Sequence, residues 1–485
     1  MALLNRFTKL NDRSNTGVFT FIVTRSVARD LHRDATTKDF VYGYHRWAIT
    51  FTRSDKLLGV FLILRNPSMG TKCYTDFSFT LLNKEHFSKN EIIAQKQSCF
   101  SVDHQAHGTN KWIPMADLST RRFTDENEEF LIELSMGNVK TVFDSEIKVP
   151  HHLLGSHSKS SKFETAYFIF GNYEWNVSLL PHGSHDELDS GGRPRVLLNR
   201  LTGFEHPCRV RYRVVLGEGD RRVDSGILDQ ISDLTGRIRG FSLRCQVTDL
   251  TRRGLLRVHV EMICANTISE AKVSTVRDPD TSVNCYDRDK QGWCIESDLE
   301  GELVKLKLFY CDLHHVPRNH LRYISWNAYL IRQNPSSRTR ESILSLNAPH
   351  SSYYIQDGMD MGVVMETDVS VREIRDTSNG YLGTNGQLTV HIEWLESLFL
   401  FGAIYHKYDD LCRIHGHQMR REIGALQAEN NSLERELFSY QKSISFANAR
   451  GHPSEDLPDD YYSGNDGYLD RSLSEGQSLS ETEYA

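Results

Sequence analysis

Apolar and polar positions alternate most clearly from Tyr42 to Leu64, YGYHRWAITFTRSDKLLGVFLIL. Trp47, Ile49 and Phe51 fall on one side of a period of two, and Val60–Leu64 is almost wholly apolar. The pattern predicts two strands joined by a short polar turn at Ser54-Asp55. The motif WAITF at Trp47 returns as WNVSL at Trp175 and WNAYL at Trp326. In each copy the tryptophan shares a strand face with the apolar residues two and four positions on. Such a face requires a cover, and a second sheet is the usual one. Further strands are predicted at Val18–Val23, Asp76–Asn83 and Glu129–Ser135, while Lys84–Asn110 reads as polar, with His104 and His107 in a loop. Residues 137–162 read as a linker.

These patterns divide the chain into sandwiches over residues 1–140, 160–275 and 285–396. From Ser397 the period changes to 3.5. Met419, Leu426, Leu433 and Tyr440 recur every seven residues, beside a second seam of Ile423, Asn430, Leu437 and Ile444. A helix with coiled-coil character is therefore expected over 397–448, pairing as a parallel homodimer through Met419, Ile423, Leu426, Asn430, Leu433 and Leu437. A buried Asn430 would fix its register. Glu429 would face Glu434 of the partner helix, which weakens the pair. A single amphipathic helix docked on the third sandwich is the alternative. The remainder, 449–485, is expected to be a disordered acidic tail: from Gly451 it holds nine carboxylates and one arginine, too little apolar surface to offset the entropy of ordering.

The first unit resembles a MATH (meprin and TRAF homology), or TRAF-C-like, domain. The resemblance rests on GYHRWAITF, LGVFLIL, FSFTLLN, KWIPMADL and RRFTDENEEFLIEL, in that order. The second and third units keep a Trp strand and a closing strand, GLLRVHVEM and GQLTVHIEW. The resemblance implies a mainly β fold of three MATH-like antiparallel β-sandwiches in series. It also implies binding of extended peptides along a sheet edge and face, with Lys111 and Trp112 as peptide-binding candidates in the first unit.

Hydrophobic residues make up 39% and charged residues 25% of the 485, with a net charge of −7, ordinary for a water-exposed protein. No apolar run approaches the roughly 20 residues that cross a bilayer, and the first residues lack the apolar core of a signal peptide. Nine scattered cysteines suit a reducing compartment, so a cytoplasmic location and no membrane partner are expected.

Chemistry adds little. Cys285, Cys294, Cys311, His314, His315 and His320 lie close in sequence but without a Cys-x-x-Cys pair, and no metal or other cofactor is expected. No nucleophile, zincin or phosphate-loop motif appears, so an enzyme is not expected. Gly217–Asp220 reads as a hairpin turn. Arg209, Arg211 and Arg213 alternate with Val210, Tyr212 and Val214, making one strand face basic. That face is either a solvated surface or a dock for an acidic partner; nucleic acid is not expected, since stacking aromatics are sparse. In the tail, Ser463, Ser472, Ser478 and Ser480 each precede an acidic residue by three positions, a spacing that suits phosphorylation. The functional expectation is a non-enzymatic scaffold or adaptor for protein partners. The alternatives are an enzyme-accessory or hydrolytic β-sandwich protein and a purely structural oligomer.

Overall fold

The computed structural model describes residues 2–28, 34–150, 162–183, 193–275, 283–333, 340–344, 349–383, 385–402 and 407–450. The acidic tail with its four serines lies outside them. The protein is mainly β, with antiparallel pairing throughout, and Met1–Gln418 forms one compact unit.

Strands β1 (Ala2–Lys9), β2 (Gly17–Val23), β3 (Ala35–Thr36), β4 (Phe40–Tyr42), β5 (His45–Ser54), β6 (Leu57–Leu64), β7 (Thr71–Leu81), β8 (Glu91–Phe100), β9 (Ala106–Pro114) and β10 (Phe130–Lys148) build the first core. The β5–β6 turn is Asp55-Lys56, both left-handed, the geometry that suits a two-residue hairpin. The second core takes β11 (Phe163–Glu164), β12 (Phe168–Phe170), β13 (Tyr173–Leu180), β14 (Arg195–Arg200), β15 (Cys208–Leu216), β16 (Val223–Ser232), β17 (Phe241–Ser242) and β18 (Leu255–Ser274). The third takes β19 (Cys285–Tyr286), β20 (Gly292–Asp298), β21 (Leu303–Tyr310), β22 (His320–Gln333), β23 (Arg340–Leu344), β24 (His350–Tyr354), β25 (Val363–Ser370) and β26 (Gln387–Phe401). A one-turn helix precedes each closing strand: Asp117–Thr120, Val247–Leu250 and Val371–Arg375.

One 12-stranded sheet, running through β1-β2-β10-β18-β26-β22, backs all three cores, and three smaller sheets cover it. The cores meet along shared strands. In β10, Phe130, Ile132, Leu134 and Met136 enter the first core, whereas Phe143 and Ile147 enter the second. In β18, Leu256, Val258, Val260 and Met262 enter the second core, and Ala271 and Val273 the third. Both strands switch from even to odd positions where their pairing register shifts, between Gly137 and Lys140 and opposite Arg211/Tyr212. One extra residue in a period of two turns the opposite face inward. The predicted linker at 137–162 is therefore strand as far as Lys148; its apolar residues were masked by this change of parity.

The arrangement closes on itself. Leu398 and Leu400 of β26 and Tyr323 of β22 lie in the first core, where Tyr323 packs edge-on to Phe7 at 5.2 Å. Asn5 donates to the Phe401 carbonyl (2.8 Å) and Lys9 pairs with Glu396 (2.8 Å). Second and third cores are tied by buried Glu393, which accepts from Asn266 (2.6 Å), Tyr329 (2.6 Å) and Arg209 (3.3 Å).

Three expectations need correction. Trp47, Trp175 and Trp326 are all buried, but Trp326 lies on β22, and Trp293 is the third member of the structural set. Trp47 pairs across its hairpin with Phe40, Trp175 with Phe168 and Trp293 with Cys285. Residues 91–100, within the stretch read as polar, form strand β8, four of whose ten side chains are exposed and give little alternation, and His107, placed in a loop, lies on β9. β26 continues to Phe401, so the C-terminal helix begins at Lys407 rather than Ser397.

The first turns of that helix sit on the first sandwich. Leu411 packs with Ile22, Leu82 and Leu131, Tyr408 donates to Glu133, and His415 Nε2 lies 2.8 Å from the Asn83 carbonyl. From Met419 onward the helix belongs to a second unit. No helix among the described residues is long and apolar enough to cross a membrane.

Two outcomes test this closure. Leu400→Ala removes a buried side chain from the first core and should cost about 2–5 kcal/mol. Amide exchange should then quicken on β5 and β6 as well as on β22. Glu393→Ala takes the acceptor from buried Asn266 and from the Tyr329 hydroxyl and should lower stability by about 1–3 kcal/mol in chemical denaturation, more than Glu393→Gln does.

Candidate functional site at the junction of the three cores

The three equivalent hairpins point their tips at the middles of the three long strands. The tips Gly43-Tyr44 and Gly171-Asn172 are left-handed at both residues. Glycine is needed in each: a Cβ on Gly43 would lie 2.6 Å from Val139 Cγ1 of β10, and one on Gly171 would lie 2.8 Å from Ala265 Cβ of β18. A polar pair then fastens each tip. His45 Nε2 is 2.7 Å from Thr141 Oγ1, the Tyr173 hydroxyl is 2.6 Å from Thr267 Oγ1, and Ser397 donates to Asp289 at 2.8 Å. The first two tips also touch each other, through Gly171 N–H to the Tyr44 carbonyl (3.2 Å) and the Tyr44–Phe170 ring pair at 4.9 Å.

The third hairpin differs. Tyr286 pairs with Gly292, so the five residues Asp287–Gln291 stand where the other hairpins have two. Buried Arg322 pins this loop through Asp287 (2.7 Å) and Asp289 (3.1 Å), and Asp287 also accepts from Trp293 Nε1 (2.8 Å). Arg288 lies between the two pinned aspartates.

Between the tips is a cavity of about 740 Å3, reached by Lys9, Arg13, Tyr42, Tyr44, Arg288 and Glu396, among others. Lys9 is spent on Glu396 and lies 4.8 Å from the Tyr42 ring centre. Burial raises the Tyr42 hydroxyl above its ordinary range and pushes the His45 imidazole down to about 4. Sequence reading missed this site because its residues come from three turns that are polar, short and far apart in the chain. Gly43 and Gly171, each directly after an aromatic and ahead of a Trp strand, were the available signal.

The residues singled out from sequence lie elsewhere. Arg209 makes a two-pronged pair with Asp229 (3.0 and 2.8 Å) and reaches Glu393; Arg211 faces Asp229 at 3.8 Å. Arg213 clamps Asp224 and holds its carboxyl down at about 2. The basic strand face is thus already neutralised by β16, whose Asp224 and Asp229 were not weighed with it. Lys111 is exposed on β9, but Trp112 packs on Phe79 at 6.1 Å against the first core, so the pair does not form an open aromatic surface. Met419, Ile423, Leu426, Leu433 and Leu437 are exposed on the helix, as is Asn430. Cys285 and Cys294 are buried. The metal-type grouping found among the described residues is instead Asp312, His314 and His315, with ligand atoms within 4.8 Å of one another.

No family model matches the chain, and no curated protein matches it. Among solved structures, a chain described as "The Triple Jelly Roll Fold and Turret Assembly in an Archaeal Virus" aligns over 77% of this chain and 91% of its own length, at 9% identity and a TM-score of 0.10. At that score the likeness carries no argument about fold or function.

His45 makes the junction acid-sensitive. Its folded value lies below the ordinary imidazole value of 6.5, so the unfolded chain binds the extra proton. The neutral ring's contribution is complete above about pH 6.5 and is lost as pH falls toward 4, a loss of roughly 3 kcal/mol. Melting temperature measured from pH 7 to pH 4 should drop across that window, and His45→Gln should flatten part of the drop.

Proposed function

We propose that the protein is a non-enzymatic scaffold or adaptor, in which MATH-like sandwiches recognise extended segments of partner proteins and the C-terminal helix self-associates as a coiled coil. The observation that carries this reading is the apolar row on the helix. Ile423, Leu426, Leu433, Leu437, Tyr440 and Ile444 are between 54% and 66% exposed within the single chain. A stripe of that regularity in water favours a second helix of the same kind, and Asn430 within it favours one register.

Recognition is supported by an open sheet edge. β16 pairs only with β15 among the described strands, and it leaves Ile227 and Ile231 exposed. An unpaired strand edge with exposed apolar side chains beside it suits addition of a partner strand. Two copies on one coil would raise the affinity for any partner that carries two such segments.

Sedimentation of the full chain should give a dimer at micromolar concentration, and Ile423→Glu with Leu437→Glu should give a monomer with an unchanged β-rich circular dichroism spectrum. Asn430→Leu should stabilise the assembly and broaden its stoichiometry. For recognition, peptides selected on the full chain from a random display library should protect the β16 amides. They should bind at least tenfold more weakly to Ile227→Asp/Ile231→Asp. A dimer that selects no such peptide would favour the purely structural oligomer.

A further inference from the structure

We propose that the junction cavity binds a small phosphorylated organic anion, held by Arg13 and Arg288. The volume of about 740 Å3 falls within the range of small-molecule sites, roughly 300–1,000 Å3. Its charge balance favours an anion. Lys9, Arg13 and Arg288 stand against one lining carboxylate, Glu396, and that carboxylate is committed to Lys9 and the Ser325 hydroxyl.

Arg13 and Arg288 enter no ion pair among the described residues, whereas Arg209, Arg211 and Arg213 on the outer sheet face are all paired. Arg288 is also placed by construction. It belongs to the loop that lengthens the third hairpin beyond the two-residue tips of the others, and buried Arg322 grips the aspartates on both sides of it. An insertion fixed in this way aims one guanidinium at the junction while the neighbouring carboxylates are spent on another. Arg13 comes from the β1–β2 loop, so the two forks approach from different elements.

A guanidinium fork matches phosphate oxygens in pairs. Tyr44, Phe170 and Tyr323 supply an apolar wall for the organic part of the ligand. The chain as a whole carries −7, so general attraction of anions to its surface does not account for binding at this point.

The test is calorimetric titration of the full chain with ATP and, separately, with inositol hexakisphosphate, accompanied by thermal melts. At least one probe should bind saturably with micromolar affinity, raise the melting temperature and weaken as salt is added. Arg13→Ser/Arg288→Ser should weaken binding at least tenfold while its melting temperature without ligand stays near that of the unaltered chain. Arg211→Ser, on the outer face, should bind as the unaltered chain does. Failure of both probes to bind, or affinity that ignores the double substitution, would overturn the proposal. Equal affinity for inorganic phosphate would overturn it too, because the aromatic wall would then contribute nothing.

Discussion

The three cores of the first unit depend on strands that serve two cores at once. A strand exposes alternate side chains to opposite faces, so the even positions of β10 and β18 that enter one core and the odd positions that enter the next must be separated by a change in which parity points inward. The bulges near Gly137–Lys140 and opposite Arg211 perform that change. Once they are in place, the end of one sandwich is the beginning of the next. The three hairpin tips are thereby brought against the strand midpoints, where Thr141, Thr267 and Ser397 receive them. The cavity is a product of the same geometry, since it lies where the strands change hands.

The sequence shows the repeat more readily than the junctions. The hairpin at Tyr42–Leu64, the Trp175 strand and the closing strands were legible because their apolar residues alternate without interruption. Trp293 was not, because Ser297 occupies the place where an apolar residue four positions on would have completed the motif; Trp326 supplied a closer match on the wrong strand. The parity change in β10 looked like a break in order rather than a device of the fold. Only Gly43 and Gly171 offered a local sign of the site. The pairing of Arg209, Arg211 and Arg213 required knowing that β16 lies beside β15, a tertiary fact that alternation within one strand does not contain.

Charge is arranged differently on the outer face and at the junction. On the outer face, guanidinium and carboxylate groups stand opposite each other on adjacent strands, a cross-strand arrangement that contributes modestly to stability. At the junction the carboxylates of Asp287 and Asp289 turn toward buried Arg322 and leave Arg288 without a counterion among the described residues. The former stabilises a sheet; the latter leaves positive charge unanswered among the described residues.

Tyr323, Leu398 and Leu400 complete a core whose other residues end at Met136, and this has a consequence for biosynthesis. A nascent chain whose first sandwich has left the ribosome must keep that sandwich unfinished until some 250 further residues have been translated, roughly ten to fifty seconds at ordinary elongation rates. Throughout that interval apolar surface that β26 and β22 will cover stands open to solvent. The protein's yield in a cell should therefore depend on ribosome-associated holdases and on the pace of translation through the second and third sandwiches more than on the final stability of the fold.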